Sequence, residues 1–343
     1  MTENTHETNL QCNDSVTCFQ DIFCEDEKSR KRARKNITTE SNDCYQSNSA
    51  SNAFFEMANS KFVGYMVSGR DHCGTKRKKT KQKVIVKQHC AVSTHTGGIV
   101  WETSYLLAKY LESTLTIKSK SPILQDDVNT GDELHKNYPL NRTLEIGSGC
   151  GLLGITLAAL GLSRNVVLTE HTDVMPILVD NIKRNIQLGT VSPSQVTAQQ
   201  LRWECSNEDI ASSSVSSNKG GNNNASSATK NKETSRCLCK GSFDTIVGTD
   251  VLFTPSLVKP LISTLRKLSH SQTQILLCLQ ERCVDSYQLF IKNSKKYFSL
   301  EDLSGQFSSV EGCGFGVELE CILLRLTPLM GKTKKKKKKK SKH

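Results

Sequence analysis

A glycine-rich turn between a strand pattern and a helix pattern constrains this chain more than any other feature. The run Arg142–Ile146 predicts a strand, the segment LLGITLAAL predicts a helix, and the sequence EIGSGCG at 145–151 joins them. Glycines let the backbone turn sharply and approach a ligand, and a helix start offers unpaired N–H groups. The pattern therefore predicts a nucleotide-type binding loop at the carboxyl end of a strand.

The loop departs from the G-x-G-x-x-G fingerprint of dinucleotide-binding proteins because Leu152 stands where the last glycine would be. An acidic residue precedes its first glycine, and a carboxylate suits a ligand that carries hydroxyl or ammonium groups. The next strand pattern ends in Glu170, 19 residues after Gly151, near the spacing at which an acidic residue reaches a ribose diol. We expect the following residues to bind the ligand: Glu145, Gly147, Ser148, Gly149, Gly151 and Glu170.

Strand and helix patterns alternate through about residues 88–206 and 242–328. Strands are predicted at NVVLTE, VTAQQLRW, FDTIVGTD, QILLCLQ and VELECILLRL, and helices at VMPILVDNIKRNI and, despite Pro260, at SLVKPLISTLRKL. This alternation predicts an α/β, doubly wound domain with a largely parallel sheet. Upstream, FVGYMVSG and VIVKQ predict a hairpin that packs against it.

Low-complexity segments flank and interrupt this pattern. Hydrophobic residues make up 36% of the chain, and even when Gly is counted the apolar share stays below the roughly 45–50% that is typical of globular proteins. Residues 1–60 and 207–241 are rich in Ser and Asn, and the chain ends in a run of lysines. The sequence therefore predicts a disordered arm at 1–60, a folded domain at 61–330 with a disordered insertion at 207–241, and a disordered tail at 331–343.

The net charge of +12 is unevenly distributed. Residues 88–331 hold 22 Lys/Arg against 23 Asp/Glu, whereas 332–343 hold nine Lys and no acid. A domain that reads nucleic acid would carry the positive charge on its folded core, so we expect only weak, salt-dependent polyanion contact through the basic ends. The cluster SRKRARK at 29–35 fits either a nuclear import signal or a solvated charge run.

The sequence does not support a membrane protein, a disulfide-rich protein or a metal-binding protein. No window approaches the ~18 apolar residues of a membrane span, and the first residues lack the apolar stretch of a signal peptide. The fourteen cysteines are scattered without a C-x-x-C pair, which predicts reduced structural thiols and no metal site. We expect a soluble, monomeric protein of the cytoplasm or the nucleus.

Four motifs, in order along the chain, resemble those of one family. They are GGIVWE at 97–102, the glycine loop at 145–151, LRW at 201–203 and TDVLF at 249–253. The glycine loop resembles motif I of the class I S-adenosylmethionine-dependent methyltransferases. The set together resembles the non-histone protein-lysine methyltransferases that act on calmodulin, chaperones and the valosin-containing ATPase, and it covers about residues 88–206 and 242–326.

The resemblance implies a seven-stranded, Rossmann-like methyltransferase sheet with an S-adenosylmethionine pocket and no metal. The contacts it implies are Trp101 at the methionine end, Gly147, Ser148 and Gly149 in the floor, Glu170 on the ribose hydroxyls, Trp203 beside the adenine, and Thr249 in the pocket lining. Asp is usual in the family where this chain has Glu170, a longer carboxylate that can still bridge a diol.

Asp250 is the candidate for catalysis or lysine placement. Methyl transfer is an in-line attack by a neutral amine, so the enzyme must align the lysine and take it in its deprotonated form. A carboxylate can orient the ammonium and help it lose a proton to water, while aromatic walls attract the cation. The family pattern is Asp-x-x-Tyr, and Phe253 stands at its fourth position, so one hydroxyl contact is lost, as in members that resemble the calmodulin-directed branch.

The sequence thus predicts a protein-lysine N-methyltransferase acting on a non-histone protein, and other functions remain open. The same cofactor motifs fit a methyltransferase acting on histidine or a small molecule, and Phe253 keeps open a catalytically weak S-adenosylmethionine-binding scaffold. A nucleic-acid methyltransferase rests on the basic ends alone. The pair Glu281-Arg282 resembles an acidic-Arg element on the substrate side but fits a surface ion pair equally well, so it stays outside the catalytic set.

Overall fold

The computed structural model describes residues 16–18, 50–67, 82–89, 96–118, 138–203, 238 and 241–329. Apart from Leu238 and Gly241, the predicted insertion at 207–241 lies outside these residues, as do the basic cluster at 29–35 and the tail at 331–343. Among the helices described, none combines the length and the apolar character that a membrane crossing requires.

The described part of the chain forms two sheets and the helices around them. The strands are β1 (Val16–Cys18), β2 (Phe62–Val67), β3 (Gln82–Lys87), β4 (Asn141–Ile146), β5 (Ser163–Glu170), β6 (Val196–Gln200), β7 (Thr245–Thr249), β8 (Gln274–Leu279), β9 (Phe298–Asp302) and β10 (Ile322–Pro328). The α-helices are α1 (Ala50–Asn59), α2 (Glu102–Lys118), α3 (Leu152–Ala159), α4 (Met175–Gln187), α5 (Pro255–Leu268), α6 (Val284–Ser294) and α7 (Phe315–Glu318). Short 3-10 turns lie at Thr96–Gly98 and Ser304–Ser308.

The larger sheet confirms the predicted α/β, doubly wound architecture with seven strands. Its order is β6-β5-β4-β7-β8-β10-β9, parallel from β6 to β8, and β10 runs antiparallel to both β8 and β9. The chain winds outward from β4 in one direction and from β7 in the other. The carboxyl ends of β4 and β7 therefore form a topological switch point, the place where such sheets bind ligands.

Strand β4 shows how the sheet separates its two faces. Leu144 and Ile146 belong to the core that includes α5, whereas Glu145, between them, faces α3 and accepts a hydrogen bond from the Gly154 N–H at 3.0 Å. Successive side chains of a strand point to opposite faces, so this alternation follows from the pleat. Helix α3 is buried from Leu152 to Ala158, which explains why its sequence is apolar on every side.

The predicted hairpin is present: β2 pairs antiparallel with β3, and β1 adds a parallel strand on the far side of β2. Two asparagines of α4 bind the outer edge of β3. Ile85 donates to Asn185 Oδ1 at 3.0 Å and accepts from Asn185 Nδ2 at 2.8 Å, and Lys87 makes the same pair of contacts with Asn181 at 2.8 and 3.0 Å. Asn181 and Asn185 are four residues apart, which is a rise of about 6 Å in a helix, and Ile85 and Lys87 are two residues apart, which is about 6.6 Å in a strand. The spacing of the two asparagines therefore matches the spacing of the two strand residues.

Helix α1 lies within residues 1–60, the stretch that the sequence analysis predicts to be a disordered arm. Met57 is fully buried, and Gln88 Nε2 donates to the Met57 and Ser60 carbonyl oxygens at 2.8 and 2.7 Å. The polar composition around ASNAFFEMAN hides a short apolar face, to which Phe54 and Met57 contribute. Phe55 remains 70% exposed.

The strand predicted at VELECILLRL begins later than expected. Val317 and Glu318 end the short helix α7, and Glu320 adopts a φ of 52° before β10 starts at Ile322. An apolar run alone does not distinguish a buried strand from a buried helical turn. The remaining predicted strands and helices of the larger sheet lie where the sequence patterns place them.

Candidate active site

A cavity of about 410 Å³ opens at the carboxyl ends of β4, β5 and β7, above the switch point. This volume falls within the range of small-molecule sites. Its lining comes from the segment before α2, the glycine loop, the end of β5, the segment after β6 and the segment after β7. The predicted residues that line it are Trp101, Gly147, Ser148, Gly149, Glu170, Trp203, Thr249, Asp250 and Phe253.

The glycine loop forms the floor of the cavity. Gly147 and Gly149 adopt left-handed backbone conformations with φ of 62° and 54°, which favour glycine. A Cβ atom on Gly147 would lie 3.2 Å from Val251 and 3.4 Å from the Trp203 ring, and one on Gly149 would lie 3.3 Å from the Gly97 carbonyl oxygen. Side chains at either position would fill the space above the loop.

Glu170 stands at the end of β5 beside the loop. Its Oε2 accepts from the Gly149 N–H at 2.7 Å, and its Oε1 accepts from the His171 N–H at 2.8 Å. Burial raises the pKa of this carboxyl above its ordinary value, and the two N–H donors offset part of that rise. Each carboxylate oxygen keeps further lone pairs, so the group can accept hydroxyl donors from the cavity.

The two tryptophans lie on separate segments of the cavity wall. Trp101 donates from Nε1 to the Thr96 carbonyl oxygen at 3.1 Å and stacks on Phe54 of α1, with ring centroids 6.1 Å apart. Trp203 follows β6 and packs against the loop at Gly147. Helix α1 therefore supports one aromatic wall from outside the predicted domain boundary.

Asp250 follows β7 at the cavity wall and has a left-handed backbone, with φ of 48°. A non-glycine residue in this region is strained and is held there by its surroundings. Its Oδ1 accepts from the Gln280 N–H at 2.8 Å, and its Oδ2 accepts from Arg282 Nη2 at 2.8 Å and Nε at 3.3 Å. Phe253, at the rim, is 47% exposed.

The sequence analysis left Arg282 outside the catalytic set and gave Glu102 no role. Arg282 Nη2 donates to Glu102 Oε1 at 2.6 Å as well as to Asp250, so of the two interpretations of Glu281-Arg282 the geometry of the arginine favours the element on the substrate side. The available signal was positional, because Glu102 ends the GGIVWE motif and Arg282 follows the strand next to β7. Burial raises the pKa of Glu102, with Arg282 acting against that rise.

Glu145 and Gly151 are not among the residues that line the cavity. Glu145 is 1% exposed beneath α3, and burial raises the pKa of its carboxyl to about 8. Gly151 has a φ of 85° and begins α3, where a Cβ would lie 2.7 Å from Leu178. Both residues shape the turn from within the core and lie beneath the cavity lining.

The described residues contain no group of three or more His, Cys, Asp or Glu side chains placed to hold a metal ion. Cys278, Cys283, Cys313 and Cys321 carry free thiols. Burial raises the pKa of the Cys278 and Cys321 thiols, the latter to about 12, which keeps both protonated.

A switch-point cavity floored by a glycine loop, with an acidic residue at the end of the next strand, defines an α/β methyltransferase site. The chain belongs to the lysine methyltransferase family, whose model matches residues 78–219 and 207–300. It is a protein N-lysine methyltransferase, and the family implies S-adenosylmethionine as the methyl donor.

Curated relatives agree with the family. The chain is similar to the protein N-lysine methyltransferase METTL21A of Danio rerio, with 24% identity over 208 residues, 60% of this chain and 71% of the relative. It is 23% identical over 207 residues to the Xenopus tropicalis protein of the same name, with the same coverage. Among solved structures, a predicted O-methyltransferase from Agrobacterium tumefaciens matches with a TM-score of 0.36 and 14% identity, covering 55% of this chain and 74% of the other.

Proposed function

We propose that the cavity binds S-adenosylmethionine and that Asp250 receives the target lysine of a non-histone protein. The observation that carries this proposal is the immobilised Asp250 carboxylate. It stands in the cavity lining with both oxygens held by neighbours and its backbone in a strained conformation. Strain of this kind persists where the surroundings enforce it, and such positions cluster at functional sites.

The cradle fits the cofactor. Side chains at Gly147 and Gly149 would occupy the space above the loop. Because glycine has none, a ligand has room to approach the backbone. Glu170 would hold the ribose hydroxyls, Trp203 would lie beside the adenine, and Trp101 would contact the methionine end. Ser148 and Thr249 would complete the lining, whereas Glu145 and Gly151 support the loop from the core.

When bound, S-adenosylmethionine supplies a methyl group on a positively charged sulfur. The chain's own part is to align the lysine and to remove its charge. Asp250 would orient the incoming ammonium by hydrogen bonding, and the ammonium would lose its proton to water at the mouth before the amine reacts. Phe253, at the rim, would offer an aromatic face near that path, which would attract the cation.

Methyl labelling tests this function. The full chain is incubated with S-adenosylmethionine labelled on its methyl group and a cell extract, with heat-inactivated chain as the control. We expect a discrete labelled protein that yields methylated lysine on acid hydrolysis. Methylhistidine, label in small molecules only, or label that disappears with nuclease treatment would each contradict the proposal.

Calorimetry with S-adenosylhomocysteine, the demethylated product, separates binding from turnover. Binding together with labelling supports the enzyme. Binding without labelling of any extract protein would support the alternative of a weak cofactor-binding scaffold, for which Phe253 is the relevant feature. Domain limits and cellular location stay predictions.

A further inference from the structure

Arg282 joins two acidic residues that come from distant parts of the chain. Its Nη2 lies 2.6 Å from Glu102 Oε1 and 2.8 Å from Asp250 Oδ2, and its Nε lies 3.3 Å from the same Asp250 oxygen. The side chain of Arg282 is 29% exposed, while those of Glu102 and Asp250 are 2% and 6% exposed. The pairs are thus largely removed from water, where charge-assisted hydrogen bonds are strong.

The guanidinium also contacts an aromatic wall of the cavity. Its Cζ lies 4.4 Å from the Trp101 ring centroid, within the range of a cation–π interaction. Trp101 and Asp250 line the cavity, and Arg282 does not. Arg282 therefore acts on the cavity from behind, through the two residues that face it.

The cluster carries an excess of negative charge when both acids are ionised. Glu102 Oε2 is buried without a hydrogen-bond partner among the described residues, and one guanidinium serves two carboxylates. A positive charge arriving at Asp250 would complement this excess. The lysine ammonium of the proposed substrate is such a charge.

We propose that Arg282 is a positioning residue for methyl transfer. It fixes the Asp250 carboxylate toward the cavity and keeps a positive charge next to the incoming ammonium, which favours loss of the lysine proton to water. The inference rests on the proposed role of Asp250 as the lysine-facing acid.

The groups that face Asp250 come from several elements. Glu102 lies at the start of α2, Arg282 follows β8, and the buried thiols of Cys278 and Cys321 lie on β8 and just before β10. Both thiols stay neutral because burial raises their pKa values. Arg282 and Glu102 are thus the charged neighbours on which the protonation of a bound lysine depends.

The test compares Arg282→Met and Arg282→Lys with the control Arg325→Met, which removes an arginine paired with Glu301 on the same sheet. The readout is the initial rate of methyl labelling of the extract protein as a function of pH. We expect Arg282→Met to lower the rate on the order of 100-fold and to move the midpoint of its rise with pH upward by about one unit. S-adenosylhomocysteine affinity, measured by calorimetry, should change less than about fivefold, because Arg282 does not line the cavity.

The lysine variant distinguishes charge from shape. Arg282→Lys keeps the charge and loses the two-point fork, so its midpoint should stay near that of the wild type while its rate falls about tenfold. A rate for Arg282→Met within about threefold of the wild type, or an unchanged midpoint, would overturn the inference.

The experiment also separates a folding failure of the variant, a failure of the proposed function and a failure of the inference alone. If Arg282→Met fails to fold, the double variant Glu102→Gln/Arg282→Met, which removes the stranded buried carboxylate, is measured instead. Because this variant loses one charge of each sign, we expect a lowered rate with a smaller midpoint shift, and a rate within about threefold of the wild type would overturn the inference. If the wild type itself labels no extract protein, the proposed function fails, and the inference fails with it. If the wild type labels an extract protein and the Arg282 variants have the same rate and midpoint as the wild type, the inference about Arg282 fails while the proposed function stands.

Discussion

The floor of the cavity and its mouth are built in different ways. The floor is one continuous loop, 145–151, fixed by its own backbone and by Glu170 from the adjacent strand. The mouth combines Trp101 and Glu102 with Asp250 and Arg282, three segments that meet because the fold places β7 beside β8 and α2 against both. We infer that the floor determines cofactor binding and the mouth determines transfer, a division that substitutions can test.

The largest effect is expected at the mouth. Asp250→Ala should lower the rate of methyl labelling on the order of 1,000-fold, because the lysine loses its orienting carboxylate and Arg282 its partner. S-adenosylhomocysteine affinity should stay within about threefold of the wild type. Asp180→Ala, at an exposed position on α4, is the control. An equal loss of rate and affinity would abolish the division between mouth and floor.

At the floor, Glu170→Ala should weaken S-adenosylhomocysteine binding about 30- to 100-fold, which is about 2–3 kcal/mol for lost hydrogen bonds to a charged acceptor. Calorimetry measures the change, and the exposed Glu318→Ala provides the matched control. At saturating S-adenosylmethionine the labelling rate should recover most of its wild-type value. Persistent loss of rate at saturation would place Glu170 in the transfer step instead.

Beneath the floor, Glu145 links stability to pH. Its pKa of about 8 in the folded chain stands above the ordinary value of 4.5, so the folded state binds the proton more tightly. The resulting stabilisation is complete below about pH 4.5 and is lost as pH rises through about 8, an effect on the order of a few kcal/mol. In Glu145→Gln, this part of the pH dependence of the free energy of unfolding, measured in urea, should disappear. Parallel slopes for wild type, Glu145→Gln and the exposed control Glu318→Gln would contradict the prediction.

The smallest effect is expected at the rim. Phe253→Tyr restores the hydroxyl of the family pattern at a position that is 47% exposed. One neutral hydrogen bond changes the labelling rate by no more than about tenfold and leaves thermal stability nearly unchanged. Phe55→Tyr on α1 should change neither. A change in the labelling rate of more than about tenfold in either direction would contradict this prediction.

The floor could be predicted from sequence because its residues are neighbours in the chain. The spacing of Gly147, Gly149 and Glu170 follows from the strand–turn–helix geometry, and the structure places all three in the cavity lining. Glu145 belongs to the same motif, yet the pleat of β4 points it at α3. Motif membership and side-chain direction are separate properties, and only the second decides ligand contact.

The mouth could be predicted only in part. Asp250 was visible through its motif, but the charge pair of Arg282 with Glu102 joins positions 180 residues apart, and no local pattern encodes such a contact. Helix α1 was missed for a related reason. Its Met57 carbonyl oxygen accepts from Gln88 and its Phe54 ring stacks on Trp101, contacts that its own composition, which favours disorder, does not reveal.

The asparagine contacts on β3 have a consequence for association between chains. A free strand edge offers alternating N–H and C=O groups to which another polypeptide can add as a further strand. Here Asn181 and Asn185 occupy those groups at Lys87 and Ile85, and Thr190 donates to the Lys83 carbonyl oxygen. The hairpin thus presents its outer edge to a helix of its own molecule, which protects that edge against intermolecular strand addition.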